Sequence, residues 1–216
     1  RNGIDDREDL SKRIGYTEEE MLGRHLFSFM DERGVALAQA YLESGQPDAA
    51  LPHLSQAADL APEETQFAAS LARAAMDVGD LATALTAYAR LVASMPADGQ
   101  AWKEAGLCAA AAGDPAKAAE WLAHACTLLP GDVDCLVNAA RAHLGAGQAR
   151  EAHEDIQSAY HLAPESAEVL LVKGEILAHQ GKLDMALQSF DRALQRTDAP
   201  LPVHVARGRL LRRTGR

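Results

Sequence analysis

Aromatic side chains are scarce: four phenylalanines, four tyrosines and two tryptophans amount to 5% of 216 residues. Alanine is very frequent instead. A core built on alanine requires helices that approach closely, and alanine is also the best helix former. Cysteine is limited to Cys108, Cys126 and Cys135. An odd number without metal-ligand spacing argues against a zinc site and against a disulfide framework. Each of the three lies among alanines and leucines, where cysteine behaves as a small hydrophobe. The lack of a disulfide framework favours a reducing compartment, the cytoplasm. No apolar run approaches the roughly 18 residues of a membrane span, and no signal peptide is visible. The chain opens on Arg1 rather than methionine, so it reads as a fragment whose upstream targeting is out of view.

Positive charge is also short, with a net charge of −10. A nucleic-acid partner needs a basic footprint, so none is expected. The exception is the end of the chain, where Arg207, Arg209, Arg212, Arg213 and Arg216 follow Ala199 without an acid. These read as a solvated helix face.

Catalytic signatures are missing as well. There is no G-x-x-x-x-G-K-[ST], no G-x-G-x-x-G and no G-x-S-x-G elbow. Among eight histidines, His153 with Glu154 begins an H-E-x-x-H pattern, but Gln157 stands where the second ligand belongs. No catalytic residue, cofactor or metal is expected, and the chain is read as not an enzyme.

What is present is a period. Gly45, Gly79, Gly113, Gly147, Gly181 and Gly215 step by 34 residues, and Pro62, Pro96, Pro130 and Pro164 keep the same step. With the prolines at position 32, repeats span 31–64, 65–98, 99–132, 133–166 and 167–200, and a truncated sixth unit begins at 201. Position 8 is always small: Ala38, Ala72, Gly106, Ala140, Gly174. So is position 20: Ala50, Ala84, Ala118, Ala152, Ala186. Position 24 is always large and apolar: Leu54, Tyr88, Leu122, Ile156, Phe190. This predicts two antiparallel helices per repeat, touching at positions 8 and 20, with position 24 filling the space between them. The glycine caps the first helix and the proline stops the second.

These positions and this period resemble the tetratricopeptide repeat (TPR), over residues 31–198 and the following helix at 201–214 with Gly208 at position 8. The resemblance implies an all-α fold, a right-handed superhelical solenoid of helix-turn-helix repeats in which stacking supplies the core. It also implies protein–protein interaction.

The register does not run backwards: Tyr16 and Glu20 would occupy positions 20 and 24. Residues 14–31, from Ile14-Gly15-Tyr16-Thr17-Glu18-Glu19-Glu20-Met21-Leu22-Gly23-Arg24 to Phe27, Phe29, Met30 and Asp31, resemble part of a PAS sensor domain. A PAS fold needs strands on both sides, so no ligand pocket carries over. Helices near 5–13 and 18–30 are expected, capping the open end of the first repeat. The other reading is a sensor-domain remnant or a gene-model junction.

In the resembled family the first helices line a concave groove. Positions 5, 9 and 12 share a helical face. The groove candidates are Gln39, Arg73, Arg141 and Glu175 at position 9, Lys103 and Val137 at position 5, Leu144 at position 12 and Asn138 at position 6. A lysine–asparagine carboxylate clamp is not formed, because position 5 holds one lysine and position 9 no asparagine. Asn138 alone makes no asparagine ladder. A mostly apolar groove for an extended segment or amphipathic helix of a partner is one reading. The other is that positions 5 and 12 only pack against the neighbouring helix. At the level of function, the alternatives to a scaffold are the regulatory or substrate-recruiting arm of a larger signalling enzyme or glycosyltransferase, and a solenoid that self-associates through its open ends.

Overall fold

The computed structural model describes residues 24–196 and 201–214. Among them are eleven α-helices and no strand, so the fold is all-α. The helix expected at 5–13 and the first part of that at 18–30 lie outside the described residues. The chain divides into two compact units, 1–87 and 88–216.

The first unit holds α1 (Arg24–Glu43), α2 (Pro47–Leu60), α3 (Thr65–Val78) and the beginning of α4 (Leu81–Ser94). Helix α1 passes through Asp31 without a break, since no proline interrupts Arg24 to Glu43. Pro47 opens α2 at its first turn, where a missing N–H costs nothing. The core is small-residue packing around Leu54 and Leu71, with Ala38, Ala50 and Ala72 fully enclosed. Tyr41 stacks on His53 at 5.9 Å.

The second unit holds the rest of α4, then α5 (Gly99–Ala111), α6 (Pro115–Leu128), α7 (Val133–Gly145), α8 (Ala149–Leu162), α9 (Ala167–His179), α10 (Leu183–Leu194) and α11 (Leu201–Thr214). The starts of α5, α6, α7 and α9 are set by side chains that accept from free backbone N–H groups. Asp98 accepts from Gln100 and Ala101, Asp114 from Lys117, Asp132 from Cys135 and Ser166 from Val169. The end of each first helix is set by the periodic glycine: Gly113, Gly147 and Gly181 have φ of 76, 77 and 78°, a region closed to most side chains.

The small residue at position 8 has a measurable cause. A Cβ on Gly106 would lie 2.5 Å from Leu122, and one on Gly174 would lie 2.4 Å from the Phe190 ring. Both neighbours occupy position 24, so the bulk of one helix is seated directly on the bare backbone of the other. Burying such a side chain stabilises by roughly 1.5–3 kcal/mol. The cores then continue from repeat to repeat. Leu136, Val137 and Ala140 of α7 and Ile156 of α8 share a cluster with Val169, Val172 and Ile176 of α9. The opposite side of α9, Leu170, Leu171 and Leu177, joins Phe190 of α10 and Val203 and Leu210 of α11. Helix α9 is apolar on two opposite sides because it is covered on both, and Glu168, Lys173 and Glu175 are among its remaining positions.

Candidate functional site

The first helices of successive repeats in the second unit are α5, α7, α9 and α11, and six of the eight expected groove residues fall on them. Lys103 on α5 does not project freely. Its Nζ donates to Asp132 at 2.6 Å, and its side chain is only 14% exposed. Asp132 is also the cap of α7. Burial pushes the Lys103 amine down, but the Asp132 bond and charge outweigh it and hold the amine above its ordinary value. Lys103 is therefore a tie between repeats. Val137 is 2% exposed and lies inside the core shared with α9. It has no surface to offer a partner. Leu171 at the same register position is buried too, and Leu144 packs against the same core from its edge. Val137, Leu171 and Leu144 thus take part in packing between helices.

Position 9 is different. Leu107 is half-buried, Arg141 is exposed and Glu175 is half-buried. Arg141 donates to Glu168 in the first turn of α9 at 3.0 Å, with both side chains substantially open to solvent. One step of 34 beyond Glu175 stands Arg209 on α11. Glu175 makes no hydrogen bond or ion pair among the described residues. Burial pushes its carboxyl above the usual range, while the charges of Arg141 and Arg209 pull the other way. The row thus runs Leu107, Arg141, Glu175, Arg209. The last of these was not among the expected residues, although the repeat step alone would have found it.

Between α5 and α7 this face opens into a pocket of about 290 Å³ lined by Leu107, Ala110, Gly113, Pro115, Leu122, Asn138, Arg141 and Ala142. Its walls are apolar, with Asn138 and Arg141 supplying the polar groups. Asn138 spends one N–H on the Asp134 carbonyl at 2.8 Å, which leaves its other N–H and its carbonyl oxygen uncommitted. Of the expected residues, the structure brings Asn138 and Arg141 together at this pocket and sets Glu175 near Arg141. Gln39 and Arg73 are exposed in the first unit. Among the described residues no group of histidine, cysteine or acidic side chains is placed to hold a metal ion, and no helix is long and apolar enough to cross a membrane.

The profile of the tetratricopeptide repeat matches residues 35–75, 69–133 and 137–200. Several solved structures are similar in fold. A MamA protein from Desulfovibrio magneticus RS-1 superposes with a TM-score of 0.68 at 19% identity, covering 77% of this chain and 94% of that one. YrrB, described as a TPR protein with an unusual peptide-binding site, gives 0.69 at 15% identity, covering 79% and 88%. A tetratricopeptide repeat protein from Parabacteroides merdae ATCC 43184 gives 0.75 at 14% identity, covering 86% and 74%. No curated protein sequence matches the chain. At such identities the likeness is one of fold.

Proposed function

The chain belongs to the tetratricopeptide-repeat family, whose members are in general non-catalytic scaffolds for protein–protein interaction, and on that footing we propose that it binds an extended partner segment through the pocket between α5 and α7. The observation that carries this reading is the pocket itself. Its volume of about 290 Å³ lies just below the range of about 300–1,000 Å³ used by drug-sized ligands. It suits one large apolar side chain of a peptide. Asn138, with hydrogen-bonding capacity to spare, is placed to meet that peptide's backbone. Arg141 flanks it, and its pair with Glu168 is a screened surface pair of small worth. A partner carboxylate exchanges with Glu168 at little cost. The favoured segment therefore carries an apolar residue beside an acidic one. YrrB, of the same fold, is described as having a peptide-binding site, which supports the class of ligand and not its position.

Selection from a random peptide library on the folded chain tests this. The selected sequences are expected to share an apolar–acidic pair, to shift the amide resonances of Leu107, Asn138 and Arg141, and to lose at least about tenfold in affinity with Arg141→Glu, the usual scale for a charged contact at an interface. Peptides that bind equally well to Arg141→Glu and shift resonances elsewhere would sink the reading.

A second reading, self-association, has one observation in its favour. Leu201 and Val205 lie one turn apart on α11 and are 75% and 44% exposed, and exposed apolar surface marks contact sites. Light scattering across a dilution series decides it: a molar mass that falls on dilution supports assembly, and a constant monomer mass ends it.

A further inference from the structure

Two of the three cysteines meet. Cys126, near the end of α6, and Cys135, in the first turn of α7, place their Sγ atoms 2.9 Å apart across the turn between the repeats. Cys135 is buried and Cys126 is half-exposed. A disulfide bond is about 2.05 Å long, so closing the pair moves the sulfurs by less than about 1 Å, between two helices that already touch. The surroundings suit ionisation of one of the two thiols. The S–H of Cys126 donates to the Cys135 sulfur, which lowers the Cys135 thiol below its ordinary value despite burial, and the Lys103 charge adds to this while Asp132 and Asp155 oppose it. A second arrangement of the same protons is available, because the Cys135 sulfur also lies 3.8 Å from the Leu122 carbonyl and can donate there. The bond that Cys126 donates to Cys135, burial and the Asp155 and Asp132 charges hold the Cys126 thiol above its ordinary value, so this is the minor arrangement, but it puts the charge on the sulfur that a small molecule reaches. Cys108 has no such neighbour, and its thiol is pushed up by burial alone.

We propose that Cys126 and Cys135 form a thiol-oxidation site that a small peroxide closes to an intramolecular disulfide. The Cys126 thiolate attacks one oxygen of hydrogen peroxide, the O–O bond breaks, and Cys126 becomes a sulfenic acid while hydroxide leaves and takes a proton as water. Cys135 then attacks the Cys126 sulfur, the S–O bond breaks, a second water leaves with the Cys135 proton, and the S–S bond forms. Two thiols have given up two electrons to one peroxide, which becomes two waters. The product pins α6 to α7 across the turn. This does not depend on what the pocket binds.

Thiol counting on the native chain is the test. The reduced protein, denatured and alkylated, is expected to take up three alkyl groups. After brief treatment with hydrogen peroxide, quenching and the same alkylation, it is expected to take up one, on Cys108. The unalkylated mass falls by about 2 Da, the two hydrogens lost in forming a disulfide. A proteolytic fragment joins residues 126 and 135. Three alkyl groups after peroxide, oxygen adducts on Cys126 without a link, a link through Cys108, or a link between two chains would each overturn the proposal. Because the wild-type chain is the sample, no variant has to fold for the result to count. Cys108→Ser then serves as a control expected to drop from two groups to none.

Discussion

Lys103 on α5 reaches across to Asp132, 29 residues on, and donates to it at 2.6 Å, while the other oxygen of that carboxylate caps α7 by accepting from Cys135 N at 3.0 Å. One side chain thus starts a helix and ties it to the repeat before. Burial pushes the Asp132 carboxyl up, but the Lys103 bond and the Cys135 N–H outweigh it and hold it below the usual range. For an acid whose folded pKa is depressed, the stabilisation is complete above the unfolded value of about 3.9 and is lost as pH falls through the folded value. Asp132→Asn keeps a competent cap and removes the charge, so it is expected to flatten the acid side of the stability curve. Asp132→Ala loses the cap as well and is expected to cost about 1 kcal/mol more. Urea unfolding at pH 7 and at pH 3 measures both. Equal midpoints for Asn and Ala variants at pH 7 would show that the cap contributes nothing.

Gly174 and Gly208 occupy the same register position and are expected to respond to alanine with opposite signs. A Cβ at 174 meets the Phe190 ring at 2.4 Å, whereas one at 208 meets nothing within 4 Å. Gly174→Ala overpacks the pair and is expected to cost about 1–3 kcal/mol, with partial recovery when Phe190→Leu is added. Gly208→Ala only fills a helical glycine and is expected to stabilise by roughly 0.5–1 kcal/mol. Melting temperatures of the three variants measure this, and destabilisation by Gly208→Ala would contradict the open surroundings at that position.

The fold was legible because its constraints repeat. A glycine that must adopt positive φ and a small residue that must sit under position 24 recur at one spacing, so each copy confirms the others. The candidate site was legible only in part. Arg141 belongs to a row, position 9, that is polar in four repeats of five, but periodicity cannot say whether an apolar residue at position 5 faces solvent or the next helix. Val137 faces the core because α9 brings Val169, Val172 and Ile176 against it. That depends on the stacking distance, which the spacing of residues does not encode. Lys103 reads as a groove cation in the sequence for the same reason. Its partner Asp132 lies 29 positions away, in a loop whose placement only the assembled repeats fix.

Stability and binding are expected to separate between neighbouring residues of α7. Val137→Ala leaves a cavity in the shared core and is expected to cost about 2 kcal/mol, with little effect on peptide affinity once the protein is folded. Asn138→Ala removes a half-buried side chain at the pocket rim and is expected to leave unfolding within about 0.5 kcal/mol of the parent while weakening a selected peptide several-fold. Calorimetric titration with urea unfolding on the same samples tests the pair. A peptide that loses affinity with Val137→Ala and not with Asn138→Ala would place the contact away from the pocket.

Glu175 supplies a pH signature of opposite sign to that of Asp132. Burial pushes its carboxyl up, and the charges of Arg141 and Arg209, which pull it down, do not offset that. An acid whose folded pKa is raised holds its proton more tightly in the folded chain than in the unfolded one. The folded state therefore loses stability as pH rises from the unfolded value of about 4.3 up through the folded value, and above that the loss is complete. Glu175→Gln removes the ionisation. The variant is expected to be more stable than the parent at pH 7 and equal to it below about pH 4, where both side chains are neutral. Arg141→Gln takes away one of the two charges that favour the carboxylate. It is therefore expected to widen, at pH 7, the stability gap between chains with and without Glu175→Gln. Urea midpoints for the parent, the two single variants and the double variant at the two pH values give the answer. If Glu175→Gln were destabilising at pH 7, the carboxylate would be held by a direct partner rather than strained by burial, and the Arg141–Glu175–Arg209 row would be a structural ion network instead of an open face.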